Sequence, residues 1–220
     1  MTWMNTAAIH DPAPLCGPRD VAYARRMTDR LEDSALMLRY RDGDAAAFEV
    51  LYLRHKDSLY RYLLRLSMNP HTAEDVFQEA WGKLIRARAN YRPTAKFTTY
   101  LFRVAHNCFI DHVRRSKRHS GHSDAIPELV ADPANEPERQ TEQLLARQRL
   151  EAALKTLPDE QRDAFLLYEE GGLSVDDIAL ATGVNRETAK SRLRYANTKL
   201  RASMHDADAV ENSVKRIPHE

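Results

Sequence analysis

A chain of 220 residues, 30 % of them charged and 43 % hydrophobic, is long enough to bury one or two proper cores. No run approaches the roughly 18 apolar residues that span a bilayer, and the N-terminus lacks a basic stretch followed by an apolar one, so neither membrane insertion nor export is expected. Net charge is only +1, so a charged partner must be met by local patches, and Cys16 and Cys108 form no CxxC pair, which argues against a zinc site or a disulfide framework and for a cytoplasmic protein.

Seven glycines and ten prolines are few for this length, and the apolar positions recur at helical steps, so the fold class is all-α. Residues 1–32, with Pro12, Pro14, Gly17 and Pro18 and little periodicity, read as a disordered extension. A short helix from about Asp33 stops at Gly43, and Asp44 caps a second one on which Phe48, Leu51, Tyr52, Leu59, Tyr62, Leu63 and Leu66 recur. Asn69-Pro70 ends that helix.

Thr72 with Asp75 resembles a capping box opening the next helix, whose buried side is expected to be Val76, Phe77, Ala80, Leu84 and Ile85. Glu74, Asp75, Gln78 and Glu79 then gather on the other side. Acid near a helix start is ordinary dipole compensation, and its rival is an acidic patch for a basic partner. After the loop 90–96 comes a helix over 97–118. Its apolar stripe holds Phe97, Leu101, Val104, Ala105, Cys108, Phe109 and Val113, while Tyr100, Arg103, Asn107 and Arg114 collect on another face. That face is either a solvated surface ending in the basic run Arg114, Arg115, Lys117 and Arg118, or a place where guanidiniums hold phosphate and Tyr100 and Asn107 meet bases.

From residue 119 to 139 the pattern dissolves into small residues, acids and three prolines, the composition of a flexible linker between domains. His119, His122 and Asp124 within it make a poor metal shell. A second domain follows over 140–204. Leu144, Leu145, Leu150, Leu154 and Leu157 suggest one helix, Asp159 caps the next, and Ala164, Phe165, Leu167 and Tyr168 lead to Gly171-Gly172. Ser174 then caps a helix, Gly183 turns the chain and Asn185 caps another, which is the grammar of a helix-turn-helix. Ala189, Leu193, Ala196 and Leu200 form its inner stripe. Glu187, Lys190, Ser191, Arg194 and Tyr195 point the opposite way, as a major-groove reading face requires. Residues 205–220 are a tail.

The segments GDAAAFEVLY at 43–52, AEDVFQEAWGKL at 73–84, FTTYLFRVAHNCFIDHVRR at 97–115 and LSVDDIALATGVNRETAKSRL at 173–193 together resemble the bacterial sigma-70 family. In particular the chain is similar to the extracytoplasmic-function (ECF) group, which keeps only regions two and four. The resemblance implies two small helical domains, a region 2 bundle over 33–118 and a region 4 helix-turn-helix over 140–204, in a sigma factor that joins core RNA polymerase and directs transcription initiation at promoter DNA. It implies that Asp75, Gln78 and Glu79 meet the polymerase clamp helices. Tyr100, Arg103, Asn107, Arg114 and Arg115 would hold the minus-ten element, beside a loop that captures a flipped base. Arg186, Thr188, Lys190, Ser191, Arg192, Arg194 and Tyr195 would serve the minus-thirty-five element, and an anti-sigma factor is an expected partner. The family often has Trp where this chain has Tyr100 and Arg where it has His106.

The alternative is a stand-alone helix-turn-helix regulator, which would have no use for the acidic helix or the aromatic-basic one. An enzyme is not expected, since the sequence offers no glycine-rich phosphate loop, HExxH motif or nucleophile with a base, and no cofactor is implied.

Overall fold

The computed structural model describes residues 31–119 and 139–214, so the 1–32 extension save its last two residues, nearly all of the 119–139 linker with His122 and Asp124, and the end of the tail lie outside the described residues. Eight α-helices are found there: α1 (Asp33–Arg41), α2 (Ala45–Ser67), α3 (Pro70–Ala87), α4 (Phe97–His119), α5 (Arg139–Lys155), α6 (Asp159–Glu169), α7 (Val175–Thr182) and α8 (Arg186–Val214). A 3-10 turn, Arg88–Asn90, follows α3, and no strand occurs among the described residues. The last helix runs ten residues past the expected domain end at 204.

Helices α1 to α4 wrap one core, with α2 against α3, α3 against α4 and α1 against α2. Asp44 caps α2 by accepting from the N–H groups of Ala46 and Ala47 at 3.1 and 3.3 Å. Met68, at φ 54°, closes that helix in the left-handed region where few side chains other than glycine and asparagine sit comfortably. The expected Thr72–Asp75 capping box is not the start of α3. Asn69 takes that role, accepting from His71 and Thr72 N–H at 2.9 and 3.1 Å, and Pro70 stands in the first turn, where its missing N–H costs nothing.

The centre of this half is aromatic. Phe48 lies 4.7 Å from Tyr40 and meets Trp81 edge-on at 5.7 Å, and Tyr52 meets Trp81 at 5.1 Å, between rings whose preferred contact is offset or T-shaped. Trp81 displaces Ile85 from the core: Ala73, Val76, Ala80 and Leu84 define the stripe, and Ile85, expected inside, falls beyond its edge and is 40 % exposed.

Helices α5 to α8 form a smaller, alanine-rich unit. Leu154, Leu157, Ala164, Leu166, Leu167, Leu173 and Ile178 meet Ala189, Leu193, Ala196 and Leu200 of α8. Leu145 and Tyr168, large apolar side chains of α5 and α6, are exposed rather than packed, and the side chain of Leu144 is outside the described ones. Pro158, not Asp159, is the N-cap of α6. Its extended backbone suits the position, so Asp159 becomes the first helical residue, where it favours the helix dipole and accepts from Arg162 at 2.7 Å. The caps of α7 and α8 match expectation. Ser174 and Asp177 form a reciprocal capping box, Gly183 turns at φ +70°, and Asn185 accepts from Thr188 N–H at 2.7 Å. Where the sequence suggested two separately tethered units, the structure packs α7 on α4 and α6 on α2.

Candidate nucleic-acid interface

The basic face of α4 has three zones. Arg103, Asn107 and Arg114 are exposed and free of the core, as the sequence suggested. Tyr100, read as an exposed aromatic, is half-buried: its ring lies edge-on to Tyr91 at 5.3 Å and 6.5 Å from Phe97. Burial, reinforced by Tyr91, lifts its phenol above the ordinary range, so it stays neutral and offers one ring face rather than a mobile side chain. Arg115 is tied back to α3 through Glu79 at 2.8 Å.

That pair divides the acidic face of α3. Asp75 and Gln78 are exposed, and Gln78 donates to Glu74 at 2.9 Å. Glu79 instead turns onto α4, held by Arg115 and by Lys83 at 3.1 Å. Partial burial pushes its carboxyl up, but the hydrogen bonds from Arg115 and Lys83 outweigh this and leave it below the usual range. Its neighbour Cys108 is buried, which raises its thiol and makes it a core residue rather than a reactive one.

In the helix-turn-helix the exposed face of α8 carries Lys190, Arg194 and Tyr195. The Arg194 guanidinium sits over the Tyr195 ring, 5.0 Å from its centroid, so the two side chains present one composite surface. Arg186 is exposed at the start of α8 and paired with Asp176 at 2.8 Å. Ser191 is half-buried and donates to the Thr188 carbonyl at 3.0 Å, so its hydroxyl already has a partner on its own helix. Thr188 is itself half-buried, its N–H taken by the Asn185 cap.

Arg192 points elsewhere. It lines a groove between α4 and the C-terminal half, beside Lys117, Asp159 and Glu160, with Phe109, Ile110 and Val113 forming the floor. An adjoining groove holds Tyr100, Asn107 and Arg114 together with Lys83, Asp111 and Thr182. The two halves thus bring Arg192 and Arg114 to one cleft, while Lys190, Arg194 and Tyr195 are exposed elsewhere on α8.

Sequence reasoning missed the residues that join the halves: Tyr62, Thr99 and His106 on one side, Asp163, Glu170 and Asp177 on the other. One signal was available, since Asp163 sits at helical spacing from the apolar Leu166 and Leu167, where a carboxylate needs a partner.

Two family profiles match the chain: Sigma-70 region 2 over residues 51–119 and Sigma-70, region 4 over residues 147–200. The chain is 35 % identical over 181 residues to the ECF RNA polymerase sigma factor SigE of Mycolicibacterium smegmatis, covering 78 % of this chain and 68 % of that one. It is 33 % identical over 167 residues to the RNA polymerase sigma factor CarQ of Myxococcus xanthus, covering 75 % and 93 %. Among solved structures it is similar in fold to the sigma factor RpoE of Bartonella quintana, crystallised with the anti-sigma factor NepR, with a TM-score of 0.61 and 24 % identity over 72 % of this chain and 96 % of that one.

Proposed function

The chain belongs to the extracytoplasmic-function group of the sigma-70 family, and from that premise we propose how its residues divide the work between polymerase and promoter. It is a sigma factor that directs transcription initiation. We assign residues 33–118 to region 2, 140–204 to region 4 and 119–139 to the linker, with the 1–32 extension and the 205–220 tail outside both. The observation that carries the reading is the presence, in one chain and in family order, of the aromatic-basic helix and the helix-turn-helix. A stand-alone regulator would need only the second. The protein acts as a DNA-binding specificity subunit, not as an enzyme, and works where polymerase does, in the cytoplasm.

Core polymerase is met by the exposed part of the α3 acidic face, Asp75 and Gln78 with Glu74 beside them. Glu79 serves this surface indirectly, by fixing α3 to α4. Arg103, Asn107 and Arg114 hold the backbone of the minus-ten element, and Tyr100 stacks a base against a ring already supported by Tyr91. Arg115 contributes charge from its tether on Glu79. Lys190, Arg194 and Tyr195 read the minus-thirty-five element in the major groove, where an Arg can pair bidentately with guanine. Arg186, Thr188, Ser191 and Arg192 flank them and act on phosphate. An anti-sigma factor is a further partner, supported by the complex in which the fold relative was solved.

Run-off transcription with core polymerase on a promoter library tests the whole reading. Specific transcripts that require the added chain are expected, and their absence would overturn it. The docking face is tested by Glu74→Arg with Asp75→Arg, which should weaken core binding by at least tenfold, about 1.4 kcal/mol or more, because charge reversal sets repulsion against a basic partner. Both positions are exposed, and the only bond given up is the surface one from Gln78 to Glu74, so the fold should survive. Glu79→Arg is the wrong test, since it would break the α3–α4 ion pairs.

A further inference from the structure

Tyr100 leans on two rings, Tyr91 and Phe97, and both are reached from one carboxylate at the start of α1. Asp33 Oδ1 accepts from Arg54 Nη1 at 2.7 Å, and Oδ2 lies 2.7 Å from His55 Nε2, so both oxygens are engaged by α2. Arg54 also donates to the Leu31 carbonyl at 2.9 Å, tying the chain just before α1 to the same point. The His55 ring in turn lies 5.4 Å from the ring of Phe97, the first support of Tyr100.

The second support is reached through the neighbouring residue. Burial lifts the phenol of Tyr91, the Ser34 hydroxyl beside it pulls the other way, and the charge of Asp33 adds to the lift. Tyr91 Oη still completes no hydrogen bond among the described residues, so its ring is held by packing against this end of α1 rather than by a bond of its own. The turn before Tyr91 is fastened to α1 as well, with the Arg88 guanidinium 5.2 Å from the centroid of Tyr40. Helix α1 can serve as a fixed base, because Leu36 and Met37 are wholly buried.

An acid in the first turn of a helix favours the dipole without any partner, and partly exposed ion pairs contribute little to stability. What two partners on another helix add is position. Tyr91 and Phe97 stand at the two ends of the segment 92–96, whose Arg92, Pro93, Thr94 and Lys96 are exposed and cannot hold those ends together. The contacts of Asp33 do so from behind. A ring that stacks a base gains most when its orientation is already set before the base arrives. The region 2 profile begins at residue 51, so α1 lies outside the matched segment.

We propose that Asp33 and His55 are positioning residues for Tyr100: through Tyr91 and Phe97 they fix the angle and depth at which its ring meets a base. The brace itself stands on the contacts, and its effect on promoters rests on the stacking role assigned to Tyr100 above.

The test uses the full chain labelled with fluorotyrosine, the Tyr100 resonance being the one lost in Tyr100→Phe. Asp33→Ala should move that resonance toward the value of the free amino acid. Asp33→Asn should leave it in place, because its carbonyl can still accept from Arg54 and its amide can donate to His55 Nε2. Asp44→Ala is the control: it removes the α2 cap and the pairing with Arg39 at the other end of α1, and should not move the resonance. Holoenzyme assembled with core polymerase is then assayed by run-off transcription on a library randomised at the minus-ten element. Tyr100→Ala marks the positions that the ring serves, with about a tenfold loss of preference, and Asp33→Ala should lose about threefold at those same positions. Asp33→Asn and Asp44→Ala should keep the parent profile. Should circular dichroism show that Asp33→Ala does not fold, His55→Phe carries both measurements, keeping an aromatic ring against Phe97 while giving up Asp33.

A Tyr100 resonance that stays put in Asp33→Ala, or moves equally in Asp44→Ala, overturns the brace. A moved resonance with an unchanged promoter profile overturns its positioning role. Tyr100→Ala that alters no promoter position would sink the stacking role assigned above, while the fluorine resonance still decides whether the brace holds the ring.

Discussion

The two helical faces proposed to meet DNA are built on opposite structural terms. In α8 the inner stripe of Ala189, Leu193, Ala196 and Leu200 is separate from the outer face of Lys190, Arg194 and Tyr195, so the surface can vary without touching the core. In α4 the proposed reading face and the core share side chains: Tyr100 leans on Tyr91, which is 4 % exposed, and on Phe97, which is 1 % exposed. A face that must stack an unpaired base needs a ring held still, and packing supplies that. A face that enters a groove needs reach instead.

The largest effect expected from this contrast is on the aromatic core itself. Trp81→Ala should destabilise region 2 by about 3–5 kcal/mol, the range for deleting a buried large ring. Trp81→Phe should cost far less, because the ring contacts with Phe48 and Tyr52 survive in part and the indole N–H has no partner among the described residues. Urea denaturation checks both. Equal losses would mean that the aromatic cluster does not organise this half.

Next comes a direct comparison of two tyrosines. Tyr100→Ala should cost about 1–3 kcal/mol of stability and also impair strand opening, whereas Tyr195→Ala, 55 % exposed, should stay within about 0.5 kcal/mol and alter only duplex binding. Thermal melts with permanganate footprinting separate the two outcomes. If both mutants melt like the parent, the reading face of α4 is as independent of its core as that of α8.

The same contrast explains what could be read in advance. The helix-turn-helix was legible almost residue by residue, because Ser174, Gly183 and Asn185 are local signals whose partners lie within four residues. The start of α3 was misplaced because two cap signals, Asn69-Pro70 and Thr72, competed within one turn, and the earlier one left Thr72 already inside the helix. Ile85 reads as inward because periodicity alone cannot tell which edge of a stripe a tryptophan will claim. Glu79 and Arg115, 36 positions apart, and Tyr62 and Asp163, 101 apart, depend on tertiary placement that no local pattern encodes. The linker composition also favoured independent domains, and nothing in it reveals a seam built from residues on either side.

A finer effect concerns selectivity within α8. Arg194 is exposed and steadied by Tyr195, so Arg194→Ala should relax preference at one or two base pairs, with about 1–3 kcal/mol lost against the favoured base. Arg192 is half-buried toward the groove, so Arg192→Ala should weaken all promoters alike and lower the salt slope by about one. A promoter-library assay giving both mutants one sequence profile would show that the reading face is misassigned.

The smallest effect joins the two regions through one carboxylate. Burial pushes Asp177 up, but hydrogen bonds from the Ser174 hydroxyl, Thr99 and the Ser174 N–H, together with the charge of Lys96, outweigh it and leave the carboxyl below its ordinary range. A group with a depressed folded pKa adds stability that is present above its unfolded value, near 4, and is lost as pH falls through the folded one. Ser174→Ala removes both hydroxyl contacts of the capping box, so it should cost about 1 kcal/mol at neutral pH and bring Asp177 back toward ordinary behaviour. The gap between mutant and parent should then narrow as pH falls below about 4, because the parent loses what the mutant never had. Thr99→Ala, which removes only the bond arriving from region 2, should show a weaker version of the same trend. Urea midpoints at neutral and acid pH decide the matter: a gap that stays constant would mean that the Ser174 hydroxyl acts only by accepting from the Asp177 N–H, and not by holding the Asp177 carboxylate.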